Sequence, residues 1–190
     1  CPAEGFDSGE IDFRTVVSQA MDYLRKVSGS SKIGFVGASD YLTRLSDGKE
    51  FPCKDVRQET YESYCLERGL DPSGKIWIAD RFGAEDGYQM TKKAIEAGKL
   101  PDAFLYASDE LALGGYRAFS ESGIQVGKDI SIVSIDNLPY ASYLTPPLTT
   151  VALNMAFLGK TAAMALDSQI RGRDYPLTFY TPVELIERES

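Results

Sequence analysis

Residues 103–106 read Ala103-Phe104-Leu105-Tyr106, and residues 130–135 read Ile130-Ser131-Ile132-Val133-Ser134-Ile135. The first is an apolar run of strand length, and the second is the clearest β-branched run in the chain. Between them, Ser108 or Asp109 supplies an N-cap for a helix running to about Ser122, closed by Gly123. Strand, helix, strand in this order is a βαβ unit, whose parallel strands are joined by a right-handed crossover. Such strands are apolar on both faces because helices cover both sides of the sheet. The stretch therefore predicts an α/β fold with a mostly parallel sheet.

The same alternation extends outward in both directions. Upstream lies a strand at Ile76-Trp77-Ile78-Ala79, followed by a helix from Ala84 to Ala97 with Gly98 in the stop position. Further back, Ile33-Gly34-Phe35-Val36 reads as a buried strand, followed by a polar loop with Gly48 and Pro52. A helix from about Asp55 to Arg68 comes next, stopped by Gly69 and Asp71-Pro72. From Phe13, the residues Val16, Val17, Ala20, Leu24 and Val27 share one helical face, with Asp12 as the natural N-cap. Downstream of Pro146-Pro147 come a strand around Thr149 to Leu153, a helix from about Ala156 to Ile170, and short strands near Leu177 and Val183. The chain contains no sequence repeat and no low-complexity segment.

Composition narrows the function classes. The 190 residues fit one domain or two small lobes, and 43% hydrophobic with 25% charged residues excludes wholesale disorder. No apolar run approaches the roughly 20 residues that span a bilayer, so no membrane partner is expected. The opening Cys-Pro-Ala-Glu-Gly carries no signal pattern. Histidine is absent, which removes Ser-His-Asp and Cys-His catalysis and the usual zinc sites. Cys1, Cys53 and Cys65 have no metal-ligand or redox spacing, and a reduced, cytoplasmic compartment is the simplest reading. With 20 Lys+Arg against 28 Asp+Glu, the net charge of -8 argues against a nucleic-acid surface on this chain.

In a parallel sheet, ligands gather at the carboxyl ends of the strands. The residues that follow the strands are Arg57, at the start of a helix, then Arg81 and Phe82, then Ser108 and Asp109, and finally Asp136 and Asn137. A guanidinium, an aromatic face, a hydroxyl and a carboxylate on one edge suit a polyhydroxylated ligand. Each has a plainer reading. Arg57 could be a surface ion-pair residue beside Asp55 and Glu59, Phe82 could be core, and Ser108 and Asp109 could only cap their helix. Asp136 could cap a turn. Gly159-Lys160-Thr161 imitates the end of a phosphate loop but lies inside a helical pattern, and the first glycine of such a loop would fall at Asn154. No metal site, cofactor site or nucleophile–base pair stands out, and no catalytic residue is assigned.

A resemblance runs nearly end to end from about Asp12. It is carried by Pro101-Asp102-Ala103-Phe104, Ala107-Ser108-Asp109-Glu110-Leu111-Ala112-Leu113-Gly114 and Ser122-Gly123-Ile124-Gln125-Val126-Gly127. It continues through Ile135-Asp136-Asn137, Pro146-Pro147-Leu148-Thr149-Thr150-Val151 and Leu158-Gly159-Lys160-Thr161-Ala162 to the closing Arg188-Glu189-Ser190. These segments resemble the effector-binding domain of the lactose/galactose repressor family of bacterial transcription regulators. The resemblance implies a three-layer αβα, type I periplasmic-binding-protein-like fold. It implies residues 1–11 as a linker leaving an N-terminal lobe, 12–152 and 182–190 as the C-terminal effector-binding lobe, and 153–181 as a returning segment of the N-terminal lobe. The helix-turn-helix would lie outside this chain.

By that resemblance Arg57 corresponds to an effector-binding arginine, Phe82 to a ring-stacking aromatic and Asp136 to a hydroxyl-binding aspartate. Ser108 stands where many members carry Asn. The implied partners are a small-molecule sugar or sugar-phosphate effector, a second copy of the protein in a homodimer, and operator DNA reached only through the absent head. A transporter's periplasmic-type sugar-binding protein is the alternative, and a sugar-processing enzyme is a rival of another class.

Overall fold

The computed structural model describes residues 5–29, 31–44 and 46–190. A short strand, β1 (Ser8–Glu10), comes first. The Asp12 carboxylate then accepts the backbone N–H groups of Arg14 and Thr15 and opens α1 (Phe13–Ser28). Next come β2 (Ile33–Ala38), buried at every position, β3 (Asp40–Thr43) and β4 (Glu50–Cys53). Asp55 accepts the Arg57 N–H at the start of α2 (Val56–Glu67). β5 (Ile76–Ala79) and α3 (Ala84–Glu96) lead into β6 (Ala103–Tyr106). Ser108 caps α4 (Asp109–Glu121) by accepting the Leu111 N–H, and β7 (Ser131–Asp136) ends in a 3₁₀ turn at Pro139–Tyr143. After β8 (Thr149–Leu153), Asn154 caps α5 (Met155–Ile170), and β9 (Thr178–Tyr180) and β10 (Val183–Ile186) close the chain.

Six strands form the main sheet in the order β10-β8-β7-β6-β2-β5. All its pairings are parallel except β10 with β8. Helices α1 and α2 pack on one face and α3 and α4 on the other, giving three layers. The chain winds from β2 out to β5 and then back past β2 to β6, so its direction reverses between β2 and β6. In doubly wound sheets that reversal is where a crevice opens at the carboxyl ends. The buried rings of Phe104 and Phe119 lie 5.7 Å apart at the centre of the core. Helices α3 and α4 meet so closely that a Cβ at Gly114 would lie 1.8 Å from the Ala84 carbonyl oxygen, and one at Gly87 would lie 2.0 Å from that of Leu111.

Two expectations need correction. The polar loop after β2 is instead a hairpin in which β3 pairs antiparallel with β4. Tyr41, Leu42 and Phe51 give it strand-forming residues, while its polar turn masks the pattern in sequence. The linker 1–11 is also partly folded. Residues 1–4 lie outside the described residues, but β1 pairs in parallel with β9. Gly9 of β1 lies against Leu158 of α5 and Phe179 of β9, where a Cβ would come within 2.6 Å of Leu158 Cδ1. Arg173 clasps the Asp7 carboxylate through Nη1 and Nη2 and reaches the Ala165 carbonyl at 2.9 Å. Residues 7–10 are thus held to α5 and β9 by pairing that no local pattern reveals.

Candidate functional site

The reversal between β2 and β6 is where Arg57 sits. Its guanidinium donates through Nε and Nη2 to the two oxygens of Asp55, at 2.8 and 2.7 Å, and through Nη1 to the Ala107 carbonyl at 2.9 Å. This links the start of α2 to the end of β6. Three of its five N–H donors are thereby used, and two remain. The Phe82 ring lies 4.4 Å from the guanidinium carbon and the Phe13 ring 5.3 Å from it. Arg57 is indeed ion-paired, as its plainer reading held, but the pair is not on the surface: the side chains are 16% and 4% exposed. Phe82 packs half-buried against the core, as its plainer reading held, and its ring covers the guanidinium. Ser108 is buried, and its Oγ accepts the Leu111 N–H at 3.2 Å, the capping role.

Asp136 ends β7 with φ 120°, followed by Asn137 at φ 57°. Two consecutive non-glycine residues in this region carry strain, of the sort that concentrates at ligand sites. The surrounding hydrogen bonds hold them there. The Asp136 carboxylate accepts the Asp109 backbone N–H at the N-terminus of α4. In return the buried Asp109 carboxylate accepts the Leu138 N–H at 2.6 Å, the Thr150 hydroxyl at 2.8 Å and the Ser134 hydroxyl. Burial raises the Asp109 carboxyl above its ordinary value, opposed by these donors. Burial, and then the Asp109 charge, push Asp136 up to about 7, with Arg57 pulling the other way. Sequence expectation placed Arg57, Phe82, Ser108 and Asp136 on one edge, and the structure brings them there.

Beside Asp136 opens a cleft of about 590 Å³, within the range of small-molecule sites. Its polar lining is Asp136, Asn137, Asn154 and Glu184, and its apolar lining includes Leu153 and Met155. It therefore joins the ends of the main sheet to the first turn of α5. Sequence reasoning missed this second wall. Asn154 directly before an apolar helix was its available signal. Asp55 was visible only as a nearby acid, whereas the Asp-x-Arg spacing across a helix start lets one carboxylate meet both the backbone and the guanidinium. Asp109 was read as a cap, and its true partners, Ser134, Leu138 and Thr150, are distant in sequence. The decoy Gly159-Lys160-Thr161 lies inside α5, as expected.

Comparison with known proteins agrees with this architecture. The family model described as "Periplasmic binding protein-like domain" matches residues 22–190. The HTH-type transcriptional repressor MelR of Bacillus subtilis (strain 168) is 33% identical over 190 residues, covering 98% of this chain and 53% of MelR. The HTH-type transcriptional regulator GanR of the same organism is 33% identical over 188 residues, covering 97% and 56%. The chain spans about half the length of these curated relatives. Among solved structures, a dimeric Lac repressor with a C-terminal deletion superposes with a TM-score of 0.79 at 26% identity, covering 97% of this chain and 64% of that one. The matched residues take in all of the main sheet, the strained Asp136 turn and both walls of the cleft. The chain belongs to the periplasmic binding protein-like domain family, and its relatives there are lactose/galactose-type transcriptional repressors.

Proposed function

We propose that this chain is the effector-binding part of a cytoplasmic transcriptional repressor, and that it senses a sugar without chemically changing it. The observation that carries the reading is that Phe82 covers the Arg57 guanidinium where the winding of the sheet reverses, with the strained Asp136 one strand further along the same carboxyl edge. Arg57 offers two free N–H donors, Asp136 offers acceptor oxygens, and Phe82 offers an apolar face. A sugar ring needs donors and acceptors at its rim and an apolar surface beneath it. In this reading Ser108 contributes its hydroxyl from the first turn of α4. Arg57, Phe82, Ser108 and Asp136 are then the effector-binding set.

Residues 12–152 and 182–190 form the effector-binding lobe in this proposal, and 153–181 belong to a second lobe shared with chain outside this sequence. Support comes from α5, which buries only Ala165 and leaves Met164, Leu166 and Ile170 exposed. The greater length of the relatives also supports it. Because the cleft is walled by both β7 and α5, a bound sugar touches both bodies and favours the arrangement that it fits better. Such a bias, passed through a homodimer to paired DNA-binding heads outside this chain, would control operator binding. Calorimetry on the whole protein with a panel of sugars tests the reading. A sugar should bind, and Asp136→Ala should weaken it while the fold survives. Unchanged affinity in that variant would remove Asp136 from the site, and turnover of the sugar would overturn the sensor reading.

A further inference from the structure

The hairpin of β3 and β4 has no part in the effector-binding set, yet it rises from the same carboxyl edge, directly after β2. Side chains alternate across a strand, so its two sides differ. Tyr41 and Glu50 fall on one side, which the end of β5 occupies. There the Tyr41 hydroxyl donates to Asp80, Arg81 meets Glu50 at 3.3 Å, and the Arg81 guanidinium lies 4.3 Å from the Tyr41 ring centre. The other side carries Leu42 and Phe51, paired directly across the two strands. Leu42 is 65% exposed and Phe51 44%, so together they make one open apolar patch. The Arg44 guanidinium lies 4.7 Å from the Phe51 ring at its upper rim, and Asp40 and Cys53 form its foot. An apolar centre with a polar rim is the make-up of a docking surface.

Its place on the edge identifies what it meets. The chain passes between the main sheet and the layer of β1, β9 and α5 at residues 10–13, 153–155 and 180–183. The last two crossings lie at β8 and β10, and the first lies beside Arg57, whose guanidinium is 5.3 Å from the Phe13 ring. Among the described residues, no crossing lies at the β2–β5 end of the sheet, where the hairpin stands. β2 is three strand spacings from β8, about 14 Å along the edge. A lobe tethered at one end of this edge closes towards the other end. Desolvation, and then the charges of Asp40, Asp55 and Glu59, raise the Cys53 thiol above its ordinary value, so the foot of the apolar side lies beside the start of α2. The patch is therefore continuous with the edge where Asp55 holds Arg57. Resting on the two-lobe sugar-sensor reading, we propose that Leu42 and Phe51 dock on an apolar surface of the second lobe, outside this chain, when the lobes close on a sugar. The hairpin is then a latch at the end of the edge away from the crossings, and it lengthens the stay of a sugar that it does not touch.

The test uses the whole protein that contains this chain, with calorimetry and stopped-flow binding against ribose, galactose, lactose and cellobiose. For a member that binds, hydrogen exchange at 41–43 and 50–53 should slow by about tenfold or more, because the latch gains cover. Leu42→Ser with Phe51→Ser should weaken that sugar by about tenfold, or about 1.4 kcal/mol, through faster dissociation at an unchanged association rate. Leu42→Ile with Phe51→Tyr keeps the apolar area and the strand preference, and should bind within about twofold of the native protein. If this conservative pair loses as much as the serine pair, the hairpin's own fold was at stake and the latch is overturned. Hairpin exchange that ignores the sugar, or a serine pair with native affinity, overturns the latch and leaves the sugar sensor standing. A serine pair that splits a dimer in sedimentation while keeping its sugar affinity assigns the patch to a second copy, and equally overturns the latch. Binding by no member of the panel overturns both readings.

Discussion

Helices α1 and α5 are both 16 residues long, yet α1 buries Val16, Val17, Ala20, Met21, Tyr23 and Leu24 while α5 buries Ala165 alone. On α5, Met164 is 63% exposed, Leu166 58% and Ile170 76%. The helices differ in how their apolar residues are arranged. Those of α1 form one stripe, which the main sheet covers. Those of α5 are spread around the axis, and a helix apolar on several sides needs cover on several sides. Among the described residues, β1 and β9 meet it on the side around Leu158. The six-stranded sheet and its helices thus bury a complete core, whereas α5 leaves most of its apolar residues uncovered among the described residues. The cleft lies where the ends of β7, β8 and β10 meet the first turn of α5.

The sharpest way to break this comparison is a pair of glycine substitutions. Gly114→Ala should cost about 3 kcal/mol or more in denaturant unfolding, because its Cβ would strike the backbone of α3. Gly159→Ala, on α5, meets nothing within 4 Å and should stabilise the 190-residue chain by about 0.5–1 kcal/mol through helix propensity. Equal losses at both sites would mean that α4 and α5 are packed alike.

A second experiment addresses the cleft. Asp136→Ala in the whole protein should weaken sugar binding by about ten- to a thousandfold, the loss of one or two charge-assisted hydrogen bonds. The same residue should also oppose stability. Its folded pKa of about 7 lies above its usual value of 3.8, so ionising it disfavours the fold. Stability from this group is therefore greatest at low pH, falls as pH rises from about 4 to 7, and stays low above that. Asp136→Asn should abolish this fall and gain about 2 kcal/mol at pH 8, well under the full shift at 1.36 kcal/mol per unit because the group is only partly desolvated. Melting curves at pH 5 and pH 8 check it. A gain confined to pH 5 would reverse the sign.

Arg173→Ala should destabilise less than Gly114→Ala, by releasing Asp7 and the Ala165 carbonyl. Hydrogen exchange should quicken at residues 8–10 and 178–180 and stay slow in β6 and β7. Faster exchange throughout would show that β1 and β9 are integral to the main core. The smallest effect belongs to Met164→Glu, which should change the stability of the 190-residue chain by no more than about 0.5 kcal/mol. In the whole protein the same change should cost about 2 kcal/mol or more if a second lobe covers α5. A small effect in both would remove that reason for assigning 153–181 to another lobe.

The main sheet was legible in sequence because its signals are local. Apolar runs such as Ile132-Val133, caps such as Asp12 and Ser108, and stops such as Gly123 act within a few residues of one another, and they set the alternating strands and helices of the α/β fold. That alternation in turn identified Arg57, Phe82, Ser108 and Asp136 as residues that follow strands without any contact being known. The hairpin of β3 with β4 and the pairing of β1 with β9 were not legible. Short strands are stabilised by partners, and for β1 the partner lies near the other end of the chain. The same reason hid the second wall of the cleft at Asn154, Met155 and Glu184. Residue identity alone also left Arg57 a cation and Asp109 a cap. Tertiary structure decided that Asp55 neutralises the one, and that Ser134, Leu138 and Thr150 surround the other, because the charge and strength of a polar group depend on which groups remain beside it once water has been excluded.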